Sequence, residues 1–264
     1  MTAQSAALVP AVARGRGGTF LGFGTVFRKE LAEWVRGRRA VIVGGVSVVF
    51  ASLTTMVAFI VPSDNPGAAA LSMDPTINVL SGWNGLTFAI VVVLATMSLV
   101  STERDKGTLG WTLTNPVSPT SILAAKWAAA MVVYGLVGVF VPIAISVGVA
   151  TIVYGGLPDL GTVAFFAALY LTVPAFFIGL MIALGTGVKS TAGIAAIGFL
   201  VMFLPSGVGA LLPIVNEASP TSIGAWAMAI ATGAPASILT LGSWIVSMAV
   251  LGIGAKVVFE REEF

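Results

Sequence analysis

The sequence predicts an all-α membrane protein with six transmembrane helices, and three observations carry that prediction. Of 264 residues, 57% are hydrophobic and 9% charged, with a mean hydropathy of +1.02. Soluble domains carry about 25% charged residues, so a chain this poor in charge belongs in a bilayer. The apolar residues gather into runs of about 20, the length that crosses a roughly 30 Å hydrocarbon core at about 1.5 Å per residue. Charge is also sorted. The 13 Lys and Arg residues fall in the N-terminal region, around residues 104–126, at Lys189 and near the C-terminus, while the alternate loops hold only Asp64, Asp74, Asp159 and Glu217. Basic residues stay on the cytoplasmic side, so both termini are expected there.

The elements follow in order. Residues 1–22 are rich in Ala, Gly and Arg without periodicity and read as a disordered cytoplasmic tail. The patch from Ala6 to Ala13 is short and has no basic residue before it, which is unlike a secretory signal. Residues 23–264 read as one transmembrane domain. Between Phe23 and Arg36 the chain becomes amphipathic. Phe23, Phe27, Leu31 and Trp34 form one helical stripe, and Arg28, Lys29, Glu33 and Arg36 occupy the opposite face. Such a helix is expected in the headgroup plane, its aromatics dipped into the acyl boundary. The first span is residues 40–61, closed by Pro62. The second, 83–102, opens on Trp83 as an interfacial tryptophan. The third is 127–154 with a kink expected at Pro142. The fourth, 161–185, contains Pro174. Lys189 marks a tight inner turn before the fifth span, 191–212. Residues 213–235 are too polar to cross, yet Ile223, Trp226, Ala227 and Ile230 make a helical stripe; a surface helix and a re-entrant element both fit. The sixth span is 236–258, followed by a charged tail.

The longest polar interruption, residues 103–126, is patterned beyond what a connector needs. Glu103, Arg104, Asp105 and Lys106 come directly after a span, and Leu109 and Leu113 then recur at a helical interval with Trp111 between them. Pro116 has no N–H to donate and stops that short helix near Asn115. Ser118 and Pro119 read as an N-cap and first helical residue, restarting a helix that runs into the next span. A short stiff helix at the membrane surface between two long ones has the form of a docking element.

Taken together, Glu103, Gly107, Thr108, Leu109, Leu113, Thr114, Pro116, Val117, Ser118, Ile122, Leu123 and Lys126 resemble the signature of the type-2 ABC transporter permease family, the membrane subunits of many exporters. Pro119 stands where many members have arginine, removing a positive charge. The phrase from Phe27 to Leu31, Phe-Arg-Lys-Glu-Leu, is similar to that family's N-terminal elbow helix, which places Phe27, Glu30, Leu31 and Trp34 there. The resemblance implies a coupling helix carried by Glu103, Arg104, Gly107, Thr108, Leu109, Trp111, Leu113 and Pro116. It also implies two ATPase subunits that bind ATP and Mg, a second permease subunit, identical or related, and a place in the plasma membrane. Such a subunit binds no cofactor or metal itself and is not an enzyme.

Composition narrows the chemistry independently. The chain has no Cys and no His, which removes disulfides, zinc–thiolate sites and the usual general base at neutral pH. The stretch from Gly185 to Thr191 echoes a phosphate-binding loop but lacks its glycine spacing and the preceding strand. No predicted span carries a charge away from its ends. An ion-coupled carrier, the alternative reading as a transporter, usually needs such a charge; a non-transporting scaffold does not. Glycines inside the spans, Gly44, Gly135 and Gly198 among them, fit a closely packed bundle. A cavity lined by uncharged residues at a subunit interface would suit an apolar or amphipathic cargo moved outward.

Overall fold

The computed structural model describes residues 20–61, 73–83, 86–102 and 117–261, and every regular element among them is helical. Helix α1, Phe23–Arg36, turns through 61° at Gly37 and Arg38 into α2, Arg39–Thr55, and the short α3, Val57–Ile60, extends it. Helices α4, Pro75–Trp83, and α5, Leu86–Thr96, make one run of crossing length. A 36-residue helical run, Pro119–Tyr154, comprises α6, Pro119–Val133, a π-helical segment, Tyr134–Phe140, and α7, Val141–Tyr154. Next come α8, Leu160–Tyr170, and α9, Thr172–Gly187, joined at Leu171, and then α10, Thr191–Gly209. The next crossover holds α11, Pro213–Glu217, a 3₁₀ turn, Pro220–Ser222, and α12, Ile223–Ala231. The chain then enters α13, Ile238–Arg261. Five of these runs are long and apolar enough to cross a membrane, and six when α1 and α2 are counted together as a bent pair.

Two of these elements begin earlier than the run of apolar residues suggests. The second crossing starts at Pro75, not Trp83, because Asp74 accepts from the N–H groups of Thr76 and Ile77 at 2.7 and 3.3 Å and caps a helix whose first residue is proline. Trp83 is therefore no interfacial residue. It is 2% exposed and packs edge-on against Phe88 and Tyr170 inside the bundle. The third crossing starts at Pro119. Ser118 Oγ accepts from Ser121 N–H at 3.1 Å, the cap the sequence calls for. Lys126 thus lies about two turns inside a helix instead of at its end.

The prolines are accommodated in different ways. Before Pro142 the backbone widens into the π-helical segment, where Val141 N–H reaches Leu136 O, five residues back. The missing donor and the bulky ring of Pro142 are absorbed by a wider turn, with no sharp break. The α8–α9 run breaks at Leu171, just before Pro174. There Thr172 Oγ1 donates to Leu169 O at 2.7 Å, and Trp244 and Trp127 donate indole N–H groups to Thr172 O and Ala175 O at 3.0 and 3.1 Å. Irregular backbone in a membrane bundle persists where neighbouring side chains satisfy it.

In the polar crossover between α10 and α13, α11 buries no residue, whereas α12 is packed into the bundle. Ile223 and Ala227 are fully buried, and α12 lies against α8. Thr240 Oγ1 donates to Glu217 O at 2.6 Å, and Thr240 stands one turn, about 6 Å, from Trp244, which bonds Thr172 at the α8–α9 break. Glu217 therefore sits against the first turn of α13, a seat that both readings of residues 213–235 fit.

Candidate functional site

The residues singled out by sequence divide into two groups. Glu103, Arg104, Gly107, Thr108, Leu109, Trp111, Leu113 and Pro116, with Thr114, lie outside the described residues. Phe27, Glu30, Leu31 and Trp34 all lie in α1, and Val117, Ser118, Ile122, Leu123 and Lys126 all lie at or within the start of α6. The structure brings these two sets together, so the described part of the site is the junction of α1 with α6.

The two helices run side by side in the same direction. Ser118 N–H donates to Leu21 O at 3.1 Å, which tethers the turn before α1 to the cap of α6. Gly22 sits beside them with φ of 80°, and a Cβ built there would stand 2.8 Å from Val117 Cγ2. Only glycine meets both demands. Further along, Lys126 Nζ donates to Glu30 Oε1 at 2.9 Å, with the two side chains 2% and 4% exposed. Trp34 then meets the Tyr134 ring edge-on, centroids 5.7 Å apart, at the start of the π-helical segment. Val26, Glu30 and Trp34 make the face of α1 that is buried.

That face differs from the stripe expected to dip into lipid. Phe23, Phe27 and Leu31 are half-buried along its flank, whereas Trp34 is enclosed by the bundle. The reason is the ion pair. A carboxylate and an ammonium withdrawn from water need each other, so α1 rotates to put Glu30, not the aromatic stripe, at the centre of its contact. The charge-free interior expected from the sequence consequently has an exception in Lys126. Glu30 also has Lys29 Nζ at 3.7 Å, but that lysine is half exposed and bridges to Glu33 at 3.6 Å as well.

The junction continues into the other helices. Gly44 of α2 faces Val137, and a Cβ there would come within 2.5 Å of Val137 Cγ1. Tyr134 OH donates to Val91 O of α5 at 3.4 Å. At the far end of the second crossing, the hydroxyls of Ser101 and Thr191 are 3.0 Å apart, holding the residues that precede segment 103–116 to the start of α10. Both ends of the segment are thus anchored to the bundle, one on α10 and one on α1 with α6. Sequence reasoning named Glu30 and Lys126 separately and missed their contact, because they stand 96 residues apart. Among the described residues no three Asp, Glu, His or Cys side chains converge as metal ligands would.

These features define a multi-pass helical membrane protein in which an amphipathic helix is locked by a buried ion pair to the start of a long crossing helix. Residues 24–264 match the family model described as ABC-2 family transporter protein, and the chain belongs to that family. It is an ABC transporter permease, the transmembrane component that works with ABC ATPase subunits. No curated protein matches the chain.

Proposed function

We propose that the chain is the permease subunit of an ATP-driven exporter. Two such subunits, identical or related, stand on two ATPase subunits in the plasma membrane, with both termini in the cytoplasm. ATP and Mg are bound and turned over by the ATPase, and this chain binds no cofactor of its own. Residues 103–115 form the coupling helix. Leu109, Trp111 and Leu113 enter a groove on the ATPase, while Glu103 and Arg104 fix the exit of the second crossing and Pro116 fixes the entry to α6. Gly107 and Thr108 belong to the same coupling segment.

The observation that supports this reading is the buried Lys126–Glu30 pair beyond the Ser118 cap. A displacement delivered at residue 117 meets α6 and α1 fastened together by polar contacts, so it reaches the bundle as motion of a stiff unit. The element between α10 and α13, whose α12 packs against α8, serves as the outward closure of the route. Side chains exposed along α13, such as Ile245, Val246, Val250 and Ile253, are apolar. An apolar or amphipathic cargo crossing between two subunits suits such surfaces.

The test is co-purification. Leu113→Asp places a charge in the apolar contact, and loss of one interface anchor costs about 2–4 kcal/mol. Assembly with the ATPase should fall by at least tenfold, with the helical content of the permease unchanged. Undiminished assembly would remove the docking role from this segment.

A further inference from the structure

We propose that the α1–α2 bend holds the phosphate group of an anionic phospholipid. Three of the four residues from Arg36 to Arg39 are arginines, and Arg36, Arg38 and Arg39 are all exposed. Among the described residues none of the three has a carboxylate within ion-pair distance. The carboxylates of α1 are engaged elsewhere, Glu30 with Lys126 and Lys29, and Glu33 with Lys29. Three arginines within four residues thus have no counter-charge among the described carboxylates, and each offers a planar fork that fits phosphate oxygens.

The apolar surroundings identify the phosphate as a lipid's. Val35 is 68% exposed before the cluster, and Val41 and Ile42 are 74% and 60% exposed immediately after it. Val49, Phe50 and Leu53 continue the exposed apolar surface along α2. Charges that give way within one turn to bare aliphatic side chains mark the boundary between headgroups and acyl chains. A soluble anion would have no use for the aliphatic half of this surface; a phospholipid covers both halves.

The cluster is also held in shape. Gly37 N–H donates to Glu33 O at 3.0 Å, and a Cβ at Gly37 would stand 2.8 Å from that same oxygen. Glycine at this position lets α1 end and α2 begin within two residues, which places Arg36 and Arg39 on either side of the corner. Arg38 precedes the first turn of α2, where no side chain caps the free N–H groups. The lipid acts at the corner that joins α1, and through it the Lys126–Glu30 pair, to the first crossing. The composition of the inner leaflet would thereby bias the angle between the two helices.

The experiment uses the purified full chain in nanodiscs and in detergent. Native mass spectrometry counts retained lipid when phosphatidylglycerol and phosphatidylcholine are offered together. Each basic residue near an anionic surface contributes about a fivefold preference, so three together give on the order of a hundredfold. The parent should retain phosphatidylglycerol, with a preference that weakens as salt rises. Arg36→Gln/Arg38→Gln/Arg39→Gln should lose most of it, and the matched Lys replacements should keep most of it. Arg28→Gln, which removes an exposed charge from the middle of α1, should change the preference little. Helical content by circular dichroism separates a lost site from a lost fold. Equal retention of both lipids by the parent would overturn the proposal. So would a preference that survives the triple Gln replacement, or one abolished equally by Arg28→Gln. Full competition by millimolar glycerol phosphate would overturn it too, since that would make the site one for a free anion.

Discussion

Removing the Glu30 carboxylate tests whether the α1–α6 junction is held by charge. At 2.9 Å the attraction between Lys126 and Glu30 is about 6 kcal/mol at an effective dielectric constant of about 20. Much of that offsets the desolvation of two side chains that are 2% and 4% exposed. The intact pair therefore adds little net stability, yet breaking it by removing one partner is expensive, about 3–5 kcal/mol. Glu30→Gln keeps the shape, withdraws the carboxylate from a buried ammonium, and should destabilise the fold by that amount. Glu30→Leu/Lys126→Met removes both charges and should destabilise it by far less than the sum of the single changes. Exchanging the two residues, Glu30→Lys/Lys126→Glu, should recover most of the loss. The assay is reversible denaturation in mixed micelles followed by circular dichroism, with an α1 cysteine to report release of α1 separately. A Glu30→Gln variant within 1 kcal/mol of the parent, or a double variant worse than either single one, would refute this reasoning.

Two further outcomes are expected. Cysteines placed at Asp74 and Gly156 in this cysteine-free chain should react with an impermeant thiol reagent on intact cells, and one at Lys189 should not; the reverse pattern would invert the proposed topology. Asp159 caps α8, and hydrogen bonds from the Thr162 hydroxyl and then the Gly161 N–H hold its carboxyl below the usual carboxylate range. Its advantage over Asn at that position should be complete above about pH 4 and fade as pH falls through the lowered folded value. A difference that grows on acidification would contradict the cap.

Much of the fold is readable from local sequence because a bilayer forces local rules. A crossing helix needs about 20 apolar residues, and Ser118 with Pro119 announces a helix start whatever surrounds it. Asp74 and Pro75 carry the same signal. They are overshadowed because Asn78, Ser81 and Gly82 interrupt the hydrophobic run, although Asn78 is buried and its amide donates to Asp74 O at 2.9 Å. Lys126 lies beyond reach of hydropathy for the opposite reason, since a lysine reads as the edge of a span unless its partner is known. That partner is on another helix, and no periodicity links residues so far apart. The burial of Trp34 follows from the same contact. Pairings across the bundle are settled by packing, which one strand of sequence does not display.

The central claim is that residues 103–115 couple the ATPase to the bundle, and one measurement bears on it most directly. Residues 107–115 are replaced by a Gly/Ser linker of equal length, and the permease is reconstituted with its ATPase in liposomes. Transport and substrate-stimulated hydrolysis are then recorded together. A flexible chain does not carry a directed displacement. Transport should therefore be abolished and the stimulation lost, while basal hydrolysis by the ATPase persists. A linker variant that assembles and transports like the parent would contradict the account.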